Sequence, residues 1–302
     1  MNDVNRAALT AAFVPPARTA VRFELLPIAG MQDAARALPE GAVVTVTCSP
    51  RHGLERTLEA AEWLVEAGFQ VVPHLAARLV RDRAHLECLL QRLEVVGIDD
   101  VFVVGGDTQR PVGIFLHGLA LLEAMNDSSL RPVCVGVPAY PEGHHHIDAS
   151  RLQQDLEAKV ALADYAVTQL CFEARPLLSW REWQRQLGFE LPVHAGIPGV
   201  IERKRLLSIA LRLGIGPSVR SLRRQSRRMS RWLGGSTYHP DTLMEALAPS
   251  LGDSDSGFAG LHVYTFNHVT PTLVWLESLK EPGLARYEGG QEEGRNRFVE
   301  DE

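Results

Sequence analysis

The chain has 302 residues, a formal charge of −6, and 45% hydrophobic and 23% charged residues, the balance of an ordinary soluble globular protein. That length suits one large α/β barrel or two smaller domains, with a core that needs no disulfide or metal staple. The negative charge argues against general nucleic-acid binding, which needs a basic surface, and no apolar run approaches the roughly 20 residues of a membrane helix.

Residues 1–20 read as an N-terminal extension. Asp3 precedes a weakly apolar stretch that Arg6 and Arg18 bracket, which is no signal-peptide pattern, so the chain reads as cytoplasmic. Eight β-rich runs follow: Val21–Leu26, Ala42–Thr47, Phe69–His74, Val101–Val104, Val133–Val137, Tyr165–Gln169, Val193–Ile197 and Leu261–Tyr264. Several are nearly continuous in Val and other apolar residues, as expected of parallel strands covered on both faces. Amphipathic helices lie between them. Leu54, Leu58, Ala61, Leu64 and Val65 fall on one stripe, Leu86, Leu89, Leu90 and Leu93 on another, and Leu152, Leu156 and Val160 on a third. This alternation fits a closed (β/α)8 TIM barrel over residues 21–280 better than an open doubly wound sheet. Val104-Gly105-Gly106-Asp107 lacks the spacing of a dinucleotide fingerprint.

A seventh helix is expected from Glu202 to about Arg212. An extra helix should follow it, with Val219, Leu222, Met229 and Trp232 on one face and Arg220, Arg223, Arg224, Arg227, Arg228 and Arg231 on the other. Those arginines form either a solvated face or a grip for anionic groups. Leu251–Gly257 is a polar loop, and the Gly- and Glu-rich stretch 281–302 reads as a flexible acidic tail. Cys48, Cys88, Cys134 and Cys171 are far apart and read as free thiols. His144-His145-His146 has no carboxylate or cysteine at zinc-site spacing, so no metal is expected.

In a barrel, chemistry collects where strands end and loops to the helices begin. Polar residues gather there: Glu24 in the first strand, Thr47 ending the second, His74 ending the third and Asp107 after the fourth. Tyr140, Glu142 and His144 follow the fifth, and Thr168 and Gln169 close the sixth. Taken singly, His74 could be a structural histidine, Glu24 could face solvent and Asp107 could only shape a turn. As a set, at one rim, they suggest a site.

These residues carry a family resemblance. Phe23-Glu24-Leu25-Leu26-Pro27 resembles the Phe-Glu-Phe-Phe-Pro opening of methylenetetrahydrofolate reductases. Val44-Thr45-Val46-Thr47 and Pro73-His74-Leu75 look like that family's second and third strand motifs, and Gly106-Asp107 the end of its Leu-Arg-Gly-Asp signature. Tyr140-Pro141-Glu142-Gly143-His144 matches Tyr-Pro-Glu-x-His, with Lys159 where a later lysine belongs. Thr168-Gln169-Leu170-Cys171-Phe172-Glu173 resembles Thr-Gln-Phe-Phe-Phe-Asp. Gly196–Val200 is similar to the family's Pro-Gly-Ile turn and Leu261–Asn267 to its last strand.

The resemblance implies an oxidoreductase interconverting methylene- and methyl-tetrahydrofolate, with NADH or NADPH as electron donor and FAD as the relay. Glu24 would be the general acid toward the departing folate nitrogen. Asp107 would stabilise the cationic iminium beside both pterin and flavin, and Gln169 would read the pterin edge. Thr47, His74, Asp107, Tyr140, His144 and Lys159 fall at cofactor-contact positions. A homo-oligomer is expected. The sequence also departs from the family pattern: Gly105 replaces the arginine before Gly-Asp, and the loop after Asp107 reads as short, Thr108 to Val112. Phe115 is the nearest aromatic to an expected flavin-stacking tyrosine. A flavin-free reductase passing hydride directly from NAD(P)H, a pterin-binding methyl-transfer protein and a non-catalytic folate-binding subunit therefore stay open beside the first reading, as does the direction of the reaction.

Overall fold

The computed structural model describes residues 21–144, 146–213 and 237–279. The N-terminal extension, His145, the arginine-rich helix and the acidic tail expected from sequence lie outside the described residues. Eight parallel strands close on themselves: β1 (Val21–Leu25), β2 (Val43–Val46), β3 (Gln70–Ala76), β4 (Asp100–Val104), β5 (Cys134–Ala139), β6 (Tyr165–Thr168), β7 (Val193–Pro198) and, after a two-stranded insertion described below, β10 (Phe258–Tyr264). Neighbours run β1-β10-β7-β6-β5-β4-β3-β2, and β2 pairs back onto β1. The chain is therefore a (β/α)8 barrel, with strands where the apolar runs predict them.

Alternation along each strand divides two environments. One set, including Leu25, Val44, Val46, Val101, Val103, Val135, Val137, Ala195, Ile197 and Val263, belongs to the main core shared with the helices. The helical stripes meet it as expected: Leu54, Leu58 and Leu64 from α2 (Gly53–Glu66) and Leu86, Leu90 and Leu93 from α3 (Arg83–Val95), with α1 (Met31–Arg36) as a short first helix. The alternate set faces the lumen. It has a small apolar cluster of Val72, Phe102, Tyr165 and Val167, and the rest of the lumen is polar.

Two glycines make room where the strands crowd. A Cβ on Gly136 would fall 2.3 Å from the Tyr165 ring, and one on Gly196 would fall 2.2 Å from the Thr168 carbonyl oxygen. The Gly196 N–H also donates to Thr168 Oγ1 at 2.7 Å. Gly196→Ala is accordingly expected to destabilise the barrel by about 1–3 kcal/mol, read as a lowered urea midpoint; an unchanged midpoint would mean that β6 can retreat without loss.

The barrel closes firmly between its first and last strands. Thr265 Oγ1 donates to the Glu24 carbonyl at 2.6 Å. The Asn267 side chain accepts from the Leu26 N–H at 2.9 Å and donates to the Leu26 carbonyl at 3.1 Å. Phe266 and Asn267 adopt left-handed backbone (φ 50° and 63°) to present that amide.

Two sequence expectations need correction. The loop after Asp107 is not short, because α4 begins only at Gly118 (Gly118–Asn126). The apolar spacing from Val112 onward mimics a helix, but this stretch is pinned to the β3–α3 connection. The N–H groups of Val112 and Ile114 donate to the carbonyls of Arg78 and Arg81, and the Arg78 guanidinium donates to the carbonyls of Thr108 and Leu116. The second concerns the helix expected as seventh. Strand β8 (Ile201–Glu202) leads into α7 (Arg203–Leu213), and β8 pairs antiparallel with β9 (Thr237–Tyr238). Helix α7 packs on this strand pair, whereas α8 (Asp241–Leu251) packs against α6 (Ala174–Gln186) and β10. Helix α8 thus fills the seventh barrel position, and α7 belongs to an insertion. Helix α5 (Ala149–Lys159) stands between β5 and β6, and α9 (Val269–Ser278) follows β10.

Candidate active site

Glu24 lies mid-strand on β1, so its side chain enters the lumen and is only 7% exposed. Its Oε2 is 3.2 Å from His262 Nε2 on β10 and 3.9 Å from His74 Nε2 on β3. Burial penalises the carboxylate and pushes its pKa up to about 7, against the pull of the nearby His74. Burial acts oppositely on the imidazoles: it lowers His74 to about 4, and lowers His262 to about 3 with help from the Arg22 charge. Near neutral pH the cluster therefore holds neutral histidines around a carboxyl group that can still carry its proton.

One turn deeper lies a second polar layer. Arg22 pairs with Asp100 at 3.2 Å and stacks over the Tyr165 ring at 4.1 Å, while the Tyr165 hydroxyl donates to Asp100 at 2.8 Å. His194 stands edge-on to Tyr165, and burial lowers its pKa to about 3. Sequence reasoning missed His262, His194, Arg22, Asp100 and Tyr165. The available signal was polar residues two apart within otherwise apolar strands, Arg22 with Glu24 and His262 with Tyr264, which places each pair on one face.

The depressed histidines tie stability to acidity. Their contribution is present above the ordinary value of 6.5 and is lost as pH falls toward the folded values. Glu24, whose folded value is raised, contributes in the opposite sense: its contribution is full below the usual carboxylate range and lost as pH rises through about 7. His194→Gln should lose less stability than the wild type between neutrality and about pH 4, by on the order of 2 kcal/mol. Urea titrations at the two pH values check this, and parallel losses would mean that His194 does not take up a proton on unfolding.

The other expected residues stand on the C-terminal rim. Asp107 is exposed after β4, and Gly106 takes φ 90° to turn the chain there. Tyr140 lies after β5. Burial, Asp107 and Asp155 together push its phenol up to about 12, and its ring meets His144 edge-on at 5.4 Å. Thr47 is half-buried beyond β2. Gln169 turns its own Oε1 back to accept from the Leu170 N–H at 2.8 Å. The structure thus groups Glu24 with His74, and Asp107 with Tyr140 and His144. Thr47 and Gln169 belong to neither group. An apolar group of Leu170, Phe172, Ile201, Leu206 and Phe266, joined by Tyr238 and Tyr264, carries the β8–β9 insertion over this rim. A cleft of about 300 Å³ between α5 and α6 touches the set only through Tyr140.

Three of the positions that the family pattern assigns to FAD depart from it here. Lys159, expected to meet the cofactor's phosphates, is buried at the end of α5 and ion-paired with Asp155. Its ammonium lies 3.6 Å from where a Cβ on Gly118 would stand, a point that is also 3.5 Å from the Gly105 nitrogen. Gly105 offers no side chain although a Cβ there would meet nothing closer than 4.0 Å, so no steric reason excludes the missing arginine. Phe115 is packed in the main core and offers no ring to the rim. Among the described residues no group of three or more His, Cys, Asp or Glu side chains could hold a metal ion, and no helix is long and apolar enough to cross a membrane.

A closed parallel barrel with a carboxylic acid in its lumen and polar groups on its C-terminal rim defines a (β/α)8 enzyme. The chain belongs to the methylenetetrahydrofolate reductase family, whose profile matches residues 2–214. It is also 25% identical over 119 residues to methylenetetrahydrofolate reductase 2 of Schizosaccharomyces pombe, covering 34% of this chain and 19% of that protein. The match thus spans about a fifth of that relative's length.

Proposed function

We propose that the protein reduces 5,10-methylenetetrahydrofolate to 5-methyltetrahydrofolate, taking hydride directly from NADH or NADPH. The observation that carries this reading is Glu24, a carboxyl group buried in the barrel and raised to about 7, where a general acid is matched to neutral pH. Glu24 protonates the folate nitrogen as the methylene bridge opens to an iminium. Asp107 on the rim stabilises that cation, and Gln169 turns out from its own backbone to read the pterin edge. The nicotinamide then delivers hydride to the iminium carbon, so each turnover consumes one NAD(P)H and one proton. Residues 21–280 form the catalytic domain. The reverse, oxidative direction uses the same groups.

The incomplete flavin cradle is why the hydride is drawn straight from the nicotinamide. A flavin relay is the second reading, favoured by one observation: the Lys159 cation adjoins the N-terminus of α4 at Gly118, a combination suited to phosphate. The visible spectrum of the purified protein with excess FAD separates the two. Direct transfer predicts no retained flavin and NAD(P)H oxidation that depends on methylenetetrahydrofolate. A retained flavin, bleached by NAD(P)H and restored by the folate, would establish the relay. Neither behaviour would leave a folate-binding or methyl-transfer protein.

A further inference from the structure

We propose that Arg78 is a positioning residue for Asp107: its backbone and guanidinium together clamp the loop after β4, so that the Asp107 carboxylate stands fixed on the rim before substrate arrives. This rests on the reading of Asp107 as the group that stabilises the iminium, and goes beyond it by assigning what holds that charge in place.

Asp107 is exposed, so the backbone on either side sets where its carboxylate stands. Arg78 bonds to both sides. Its N–H donates to the Gly105 carbonyl at 3.1 Å, two residues before Asp107. Its Nη1 donates to the Thr108 carbonyl at 3.1 Å, one residue after. Between these bonds Gly106 turns at φ 90°, and a Cβ there would come within 3.1 Å of the Ala76 Cβ and 3.8 Å of the Arg78 Cβ. The turn that carries Asp107 therefore lies against the chain that leaves β3.

The same residue holds the far part of the loop. The Arg78 carbonyl accepts from the Val112 N–H at 2.9 Å, and its Nε donates to the Leu116 carbonyl at 2.9 Å, just before α4 begins at Gly118. One residue thus ties down positions 105, 108, 112 and 116. The two ends of the loop differ in what else secures them. Phe115 is packed in the main core, and a Cβ on Gly113 would fall 1.8 Å from the Arg81 carbonyl oxygen, so residues 112–116 are seated without the guanidinium. None of residues 107–111 is buried, and the guanidinium is what ties Thr108 across to the β3 side. Removing the Arg78 side chain therefore loosens the end that bears the carboxylate and leaves the Phe115 end in place. A charge fixed in advance needs no rearrangement as the iminium forms, and a displacement of about 1 Å at such a group costs about a hundredfold in rate.

The test uses the full chain and Arg78→Met, which keeps the length of the side chain and removes its fork. The order parameter of the Thr108 amide, from nitrogen relaxation without folate, should be about 0.85 in the wild type and below about 0.6 in the variant, while Phe115 stays rigid. kcat should fall about ten- to a hundredfold, with KM for the folate within about twofold. In an Asp107→Asn background the same substitution should change kcat by less than about twofold, because Arg78 acts through that carboxylate. Arg78→Lys, which returns donors to the two carbonyls, should recover order and rate together. Three results overturn the assignment: a folded Arg78→Met protein with an unchanged order parameter, a rate loss as large beside Asp107→Asn as alone, or a Lys variant that recovers rate without order. Absence of folate turnover in the wild type would overturn the proposed reaction instead, while the order parameters would still decide whether Arg78 holds the Asp107 loop.

Discussion

Glu24→Gln is expected to lower kcat/KM for methylenetetrahydrofolate by about 10²- to 10⁴-fold, leaving nicotinamide binding intact. Glutamine keeps the shape and can still bond His262, so the lumen should stay packed; what it lacks is a proton to give to the departing nitrogen. The size follows from the placement of the group. Glu24 is almost fully buried among neutral imidazoles, and within a lumen of this kind no solvent acid can substitute. Stopped-flow transfer of hydride to the folate, with Kd for NAD(P)H measured separately, checks both halves. Wild-type turnover in the variant would remove Glu24 from the acid role, and loss of nicotinamide binding would make its role structural.

The pH dependence carries the same signature. A general acid must be protonated to act, and Glu24 is raised to about 7 by burial, so kcat/KM should fall as pH rises through neutrality. The buried histidines stay neutral down to about 4 or below, so they add no limb in that range. In Glu24→Gln the residual rate should lose the alkaline limb.

Much of the fold is written locally. The eight apolar runs mark the strands because a parallel strand buried on both faces has little room for polar residues. Where the fold was misjudged, local pattern and tertiary role diverge. α7 and α8 are both amphipathic, and which one closes the barrel depends on contacts with α6 and β10 that no local window contains. The stretch from Val112 to Leu116 has helical spacing, yet backbone bonds to Arg78 and Arg81 hold it as a loop. The site shows the same division. Glu24, His74, Asp107 and Tyr140 can be singled out as candidates from the sequence because they sit in recognisable motifs. His262 was hidden because its meaning lies in the closure of the barrel, which brings it to a residue 238 positions away. The ion pair of Lys159 with Asp155, one helical turn back, is likewise absent from the motif that singles the lysine out.

Asp107→Asn is expected to reduce kcat by about 10²- to 10³-fold, with a smaller effect on KM. The positive charge on the iminium exists only after the methylene bridge opens, so a carboxylate facing it stabilises the transition state more than the bound substrate. The placement of Asp107 suits that use. Gly106 turns the chain with φ 90°, where a Cβ would press on Ala76 at 3.1 Å. Asp107 is exposed on the free rim, and its charge reaches as far as the Tyr140 phenol. An exposed carboxylate is weakened by water and salt, so its full effect requires that substrate and nicotinamide cover it. The penalty of Asp107→Asn should therefore appear in single-turnover hydride transfer and be nearly insensitive to ionic strength, while the alkaline limb set by Glu24 stays in place. A loss confined to KM would reassign Asp107 to binding the pterin. A loss that vanishes at high salt would mean the carboxylate acts at long range on an incoming cation rather than on the iminium itself.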